Sequence, residues 1–123
     1  MLLDRACPGG GWNAGNGVVY GTPLLPHPDA TAIALLALRG EDLSKTLTEG
    51  LSWLECSAAT CRTPWSLAWS ILALDAYDRP IESLTGRLNA MRDANQPWDT
   101  ATLALVILAL DCPTQGNVFK VGA

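Results

Sequence analysis

The apolar positions of this chain recur at a spacing of 36 residues. The triplet Leu-Ala-Leu occupies residues 36–38, 72–74 and 108–110, and each triplet ends a run with almost no polar side chain. A period of this length is typical of helical-hairpin repeats, in which each unit buries its apolar face only by stacking on its neighbours. The pattern therefore predicts the architecture of the chain, and it does not by itself predict a chemical activity.

The apolar runs predict three helices without a polar face, near residues 29–39, 64–77 and 97–111. Two further segments, near 43–55 and 80–93, carry their large apolar residues on one stripe and predict amphipathic helices. An alternation of apolar and one-sided helices indicates two layers, with the apolar helices inside. The predicted fold class is all-α, with about two and a half antiparallel hairpins in this chain, arranged as a partial α/α toroid or as an α-solenoid.

The chain is short enough for one domain, which we divide into three regions. Residues 1–28 form a Gly/Pro-rich loop segment preceded by a possible helix tail, 29–112 contain the helical hairpins, and 113–123 form a C-terminal tail. Long loops in compact domains are often packed binding segments. We expect Trp12 to anchor this loop in the core, with neighbouring glycines at positive φ.

Charge and hydropathy exclude several classes of function. The net charge is −4, and the eight basic residues are scattered, so a nucleic-acid-binding stripe is not predicted. No apolar run approaches the roughly 18 residues of a membrane span. The first residues lack the pattern of a secretory signal, and the expected location is therefore cytoplasmic.

Four cysteines occur, at Cys7, Cys56, Cys61 and Cys112, and the single histidine is His27. In a reducing setting the cysteines are interpreted as free thiols, while a disulfide framework is the alternative for a secreted chain. This set is too sparse for a closed four-ligand zinc site. We predict no metal site and no cofactor, and we expect His27 to be exposed or to cap a helix.

The glycine-rich segment and the first apolar helix carry a family resemblance. Residues 7–16 read Cys-Pro-Gly-Gly-Gly-Trp-Asn-Ala-Gly-Asn, and 28–32 read Pro-Asp-Ala-Thr-Ala at the start of an Ala/Leu-rich run. This resembles the prenyltransferase and squalene-cyclase repeat of the terpenoid-cyclase/protein-prenyltransferase superfamily, over about residues 5–112. The resemblance implies a closed α/α toroid and, in the enzymes of the family, isoprenoid substrates in its central cavity.

The catalytic motifs that the resemblance would imply are missing or reduced. Cyclases of the family protonate their substrate with an Asp-x-Asp-Asp-Thr-Ala motif, whereas the nearest strings here hold one carboxylate each, Asp99 and Asp29. A lone carboxylate lacks the neighbour that keeps one member of a pair protonated. Asp29 and Asp99 are therefore weak candidates for a catalytic acid, and we expect them to stabilise helix N-termini instead.

Tryptophans are the candidate ligand-binding residues. Trp65 and Trp69 are four residues apart in one predicted helix, and Trp98 is predicted near them on the next apolar helix, with Trp12 as a further candidate. Aromatic faces can stabilise a cation or bind an apolar ligand, and simple core packing is the alternative. The sequence favours a non-catalytic module that binds an apolar, isoprenoid-like ligand or a protein partner. The alternative is a fragment of a terpene cyclase or prenyltransferase whose catalytic motif lies outside this chain.

A closed toroid of six 36-residue hairpins needs about 216 residues, more than this chain supplies. The first and last apolar helices would then expose apolar rows, which a monomer in water rarely tolerates. We expect self-association, or docking of a missing half of the toroid. The simplest form is a two-fold dimer with Leu103, Ile107 and Leu110 as contact residues.

Overall fold

A computed structural model describes residues 10–12, 18–19, 22–23, 27–40, 45–93 and 98–117. Within these ranges the fold is all-helical apart from one antiparallel ladder of two residues per strand, which confirms the predicted all-α class. The elements in chain order are β1 Val18–Val19, β2 Thr22–Pro23, α1 Pro28–Ala37, α2 Lys45–Ala58, α3 Pro64–Ala76, α4 Glu82–Asp93, α5 Thr100–Leu110 and the short α6 Cys112–Gln115.

Prolines begin the first two apolar helices, as the sequence predicts. Pro28 and Pro64 are the first residues of α1 and α3, where a missing N–H costs nothing because that group has no partner within the helix. The preceding residues, His27 and Thr63, are the N-caps in extended conformation, and His27 is exposed. After α1 the chain turns at Gly40, whose φ of +100° suits glycine.

The third apolar helix begins later than its sequence suggests. We expected a start near residue 97, but α5 starts at Thr100 because Asp99 is its N-cap. The Asp99 carboxylate accepts a hydrogen bond from the backbone N–H of Thr102 at 2.8 Å. Since this bond satisfies one of the unpaired N–H groups of the first turn, the helix cannot extend further back with the same geometry.

The three apolar helices pack side by side in a row, with α3 in the middle. Helix α2 contacts α1 and α3, and α4 contacts α3 and α5. Helix α3 is consequently the most deeply buried element, and burial of each large apolar side chain stabilises the fold by about 1.5–3 kcal/mol. Its buried residues are Leu67, Ala68, Ser70, Ile71, Leu72, Ala73, Leu74 and Ala76.

Polar groups at the ends of α1 and α3 join these two helices. The Tyr77 hydroxyl donates to the Leu35 carbonyl at 2.6 Å, and Arg39 Nε donates to the Ala76 carbonyl at 3.1 Å. Burial raises the pKa of the Tyr77 phenol, and the positive charge of Arg39 opposes this shift. The phenol therefore stays protonated and keeps its donor at neutral pH.

Arginines join the amphipathic helices to their surroundings. Arg79 forms an ion pair with Glu55 of α2 at 2.6 Å, and both side chains are partly exposed. Arg87 of α4 donates to the Ala58 carbonyl at 2.6 Å and also to the carbonyl of Cys61. Because these carbonyls belong to the end of α2 and the turn after it, Arg87 supplies the donors that the helix terminus lacks.

Cys56, Cys61 and Cys112 are not disulfide-bonded, while Cys7 lies outside the described residues. Helix α6 extends beyond residue 112 into the region predicted as a tail. Asn117 after it donates to the Leu72 carbonyl at 2.8 Å, so this part of the C-terminal region packs on α3. In the part of the chain that the structure describes, no helix has the length and apolarity needed to cross a membrane.

Candidate functional site

Two of the predicted ligand-binding tryptophans form a contact on α3. The rings of Trp65 and Trp69 meet edge to face, with centroids 6.1 Å apart and an interplanar angle of 80°. Residues four apart lie on the same side of a helix, which explains the contact. Both rings are half-buried and pack against the core, so part of each remains accessible.

Trp98 lies just before the N-cap of α5, half-buried and packed against the same core cluster. The sequence predicts Trp98 within the third apolar helix, whereas it lies in the segment that leads into α5, because that helix begins only at Thr100. Trp65 and Trp69 thus lie in the first half of α3, and Trp98 lies just before α5. All three side chains are partly accessible. Partly accessible rings of this kind can contact an apolar or cationic group, and the ring contact that the structure shows among them is that of Trp65 with Trp69.

Trp12, the fourth predicted ligand-binding residue, belongs to the core instead of an accessible surface. Its side chain is only 2% exposed. Its backbone N–H donates to the Thr31 hydroxyl at 2.8 Å, and that hydroxyl donates to the Trp12 carbonyl at 3.0 Å. The His27 backbone N–H donates to the same carbonyl at 2.7 Å. These bonds hold Trp12 against α1, as expected of an anchor.

The ring of Trp12 rests where α2 has a glycine. A Cβ at Gly50 would lie 2.8 Å from Trp12 Cζ3 and 3.4 Å from Leu35 Cδ2. Sequence reasoning missed this partner, although a glycine within the leucine-striped α2 is a signal for close approach. Gly10 makes a similar approach, since a Cβ there would lie 2.6 Å from the Glu49 carbonyl oxygen.

Gly10 and Gly11 have positive φ values of 113° and 86°, as predicted for glycines beside Trp12. Most of the remaining glycine-rich segment lies outside the described residues. Gly10 therefore allows the segment to pack closely on α2. No chemistry needs to be assigned to these glycines.

The two weak candidates for a catalytic acid both sit at helix starts. Asp29 is half-buried in the first turn of α1, where Oδ1 accepts from the Ala30 backbone N–H at 3.0 Å. Asp99 is the exposed N-cap of α5, and its hydrogen bonds with Thr102 lower the pKa of its carboxyl. A lowered pKa favours the ionised form, which is the opposite of what a general acid requires.

Among the described residues, no group of three or more His, Cys, Asp or Glu side chains could hold a metal ion. An open pocket of about 150 Å³ is lined by residues in or next to α2, α3 and α4. It is smaller than the 300–1,000 Å³ typical of small-molecule sites. Its lining residues are Glu55, Ala59, Leu74, Pro80, Ser83 and Leu84.

The most unusual surface feature is the exposure of large apolar side chains on α1 and α5, the first and last helices of the row. On α5, Leu103 is 43%, Ile107 is 54% and Leu108 is 37% exposed. On α1, Ile33 is 46% exposed. Leu110, the third predicted contact residue, is half-buried and packs against the core.

Comparisons with known proteins do not add a relative to this picture: no family model, curated protein or solved structure matches the chain. Function must therefore be argued from the chain's own residues. The tryptophan pair and the exposed apolar faces are the two features from which such an argument can start.

Proposed function

We propose that this chain is a helical-repeat module of the α/α-toroid kind that binds an apolar partner and is not catalytic by itself. The observation that carries the proposal is the uncovered apolar face of α5, formed by Leu103, Ile107 and Leu108. Contiguous exposed apolar residues on a protein in water commonly mark interaction sites.

The 36-residue spacing shows why this exposure is informative. Leu67 and Ile71 of α3 occupy the positions of Leu103 and Ile107, and both are fully buried. The same residue types at the same positions are covered in one helix and bare in the next. A binding function explains the retention of core-type side chains on an accessible face, because a partner would bury them.

The resemblance to the squalene-cyclase and prenyltransferase repeat supports the toroid part of the proposal. In the families it resembles, apolar helices surround a cavity for isoprenoids. An apolar, isoprenoid-like ligand would meet the half-buried rings of Trp65 and Trp69. Binding of such a ligand requires none of the missing acid or zinc motifs.

The second candidate function is a fragment of an isoprenoid-processing enzyme, and the same edge-to-face tryptophan pair favours it. Ring faces can stabilise a carbocation during cyclisation. Against it stand Asp29 and Asp99, whose carboxylates accept backbone hydrogen bonds at helix starts. A catalytic acid for this chain would therefore have to come from elsewhere.

Binding of the dye 1-anilinonaphthalene-8-sulfonate tests the proposed function, because the dye fluoresces on exposed apolar surfaces. At low micromolar protein, we expect a several-fold rise in fluorescence with the natural chain and a clear reduction with Ile107→Asp. Ala90→Asp, at an exposed position of α4, adds the same charge away from the apolar face and should behave like the natural chain. A folded and monomeric natural chain that leaves dye fluorescence unchanged would refute the proposal.

The enzyme alternative has its own assay. Purified chain is incubated with squalene and, separately, with farnesyl diphosphate and a cysteine-containing peptide, and products are sought by mass spectrometry. We expect none. An isoprenoid product that disappears in Asp29→Asn or Asp99→Asn would establish the enzyme instead of the binding module.

A further inference from the structure

The uncovered residues of α1 and α5 lie on opposite sides of the row of apolar helices. On α1 they are Ile33 and Ala37, and on α5 they include Ala104 and Ile107. Successive helical residues are rotated by about 100°, so positions 33 and 35 point about 160° apart. We call the side of α1 that carries Ile33 and Ala37 its rear face. The rear faces of α3 and α5 carry the residues 36 and 72 positions later. The side of positions 32 and 35, with their equivalents, is the front face.

The rear face is bare only on α1. Trp69 occupies the position of Ile33 on α3 and is half-buried, and Leu105 occupies it on α5 and is only 6% exposed. The alanines that occupy the position of Ala37 are fully buried: Ala73 and Ala109. Each of these two helices has an apolar helix before it in the row, whereas α1 has none among the described residues.

The front face is bare only on α5. Leu35 and Ile71 are fully buried on α1 and α3, while Ile107 at the same position is the most exposed large apolar residue described. The small residue three positions earlier follows the same trend. Ala32 and Ala68 are fully buried, and Ala104 is exposed.

One end of the molecule therefore presents a bare rear face, and the other end presents a bare front face. The contact of α1 with α3 and the contact of α3 with α5 each join neighbouring helices of this row. The two bare faces are the halves of a third contact of the same kind. The central positions of both faces are apolar: 33, 37, 103, 104 and 107.

We propose that the partner is a second copy of this chain, bound head to tail. The front face of α5 in one copy, centred on Ile107, packs on the rear face of α1 in the next, centred on Ile33. The small Ala104 and Ala37 let the two helix backbones approach. This inference rests on the proposed function, since it names the occupant of the apolar face on which that proposal depends.

A head-to-tail contact covers both exposed faces, whereas the two-fold dimer expected from the sequence covers only the front face of α5. A two-fold contact between two copies of α5 would leave Ile33 uncovered on both outer ends. A head-to-tail contact covers Ile33 and Ile107 together at every junction. Such contacts are not self-complementary, so they extend into a closed ring or an open filament.

A complementation experiment separates these arrangements. Ile33→Asp blocks the rear face and Ile107→Asp blocks the front face, so each variant alone should sediment as a monomer of 13.0 kDa. Mixed in equal amounts, they retain one intact junction, and a complex of twice that mass should form and grow no further. The natural chain and the control Ala90→Asp should both form larger assemblies.

Three results would overturn the head-to-tail inference. Ile33→Asp could remain a dimer while Ile107→Asp is monomeric, which is the signature of the two-fold arrangement. The mixed variants could fail to combine, with circular dichroism showing both folded. The natural chain could be monomeric at high concentration. In this last case, dye binding that Ile107→Asp abolishes would still support the proposed function and would assign the face to another partner. If either Asp variant unfolds, Ile33→Ser and Ile107→Ser repeat the test with a milder change.

Discussion

Helices α3 and α5 have the same apolar pattern but different surroundings. Leu67 and Ile71 are fully buried on α3, while Leu103 and Ile107 at the same positions of α5 are 43% and 54% exposed. Helix α3 lies between α1 and α5 and also contacts α2 and α4, whereas the described neighbours of α5 are α3, α4 and α6. The difference shows that an apolar pattern determines which side chains can be buried, while the neighbours determine which are.

The first prediction concerns Trp12, which packs over α1, whereas α5 has no such cover among the described residues. Trp12→Ala should lower the free energy of unfolding by about 3–5 kcal/mol, because it empties a buried site between α1 and α2. Urea unfolding followed by circular dichroism measures the change. Trp65→Ala, at a half-buried ring, is the control and should cost less. A loss below about 0.5 kcal/mol for Trp12→Ala would mean that the glycine-rich segment contributes nothing to the core.

The second prediction compares two leucines at equivalent positions. Leu67→Ala on α3 should cost about 2–5 kcal/mol, and Leu103→Ala on α5 should cost less than about 1 kcal/mol, because only the first removes fully buried methyl groups. Both variants are made in the Ile33→Asp background, so that self-association adds nothing to the measured stability. Equal losses at the two positions would show that α5 is covered in solution.

Sequence reasoning succeeded where the signal is local. The 36-residue spacing and the prolines at residues 28 and 64 located the apolar helices, and the Gly-Gly-Trp run identified Trp12 as an anchor. The start of α5 was placed too early, since Asp99 can be read as a cap or as a first-turn residue until its bond to Thr102 is seen.

The candidate site was harder to predict because its features depend on contacts between distant segments. Nothing in the spacing of Trp12 and Thr31 indicates that their backbone and hydroxyl groups pair. Sequence likewise placed Trp12 among the ligand-binding tryptophans, although its ring is buried against α2. The exposure of Ile107 depends on which helices pack against α5, and the apolar pattern of α5 does not contain that information.

The third prediction compares a covered and an open glycine on the amphipathic helices. Gly50→Ala should destabilise the protein by about 1–3 kcal/mol, because the added methyl group would lie 2.8 Å from the Trp12 ring. Gly86→Ala on α4 meets no atom within 4 Å. That change should stabilise by up to about 1 kcal/mol through higher helix propensity. Thermal unfolding of both variants measures the contrast, and stabilisation by Gly50→Ala would place Trp12 away from α2.

The last prediction concerns the starts of α3 and α5, where the smallest effect is expected. Thr63 forms no side-chain hydrogen bond at the start of α3, whereas Asp99 accepts one from Thr102 at the start of α5. Since these bonds lower the Asp99 pKa, the carboxylate stabilises the folded state above its unfolded pKa of about 3.9. That contribution is lost as the pH falls through the lower folded value. An NMR titration should give a midpoint for Asp99 below that of an unfolded peptide, with the Thr102 amide shift following the same curve. Asp99→Asn removes the titration and Thr63→Ala leaves it unchanged, whereas an ordinary midpoint would show that the cap is not formed in solution.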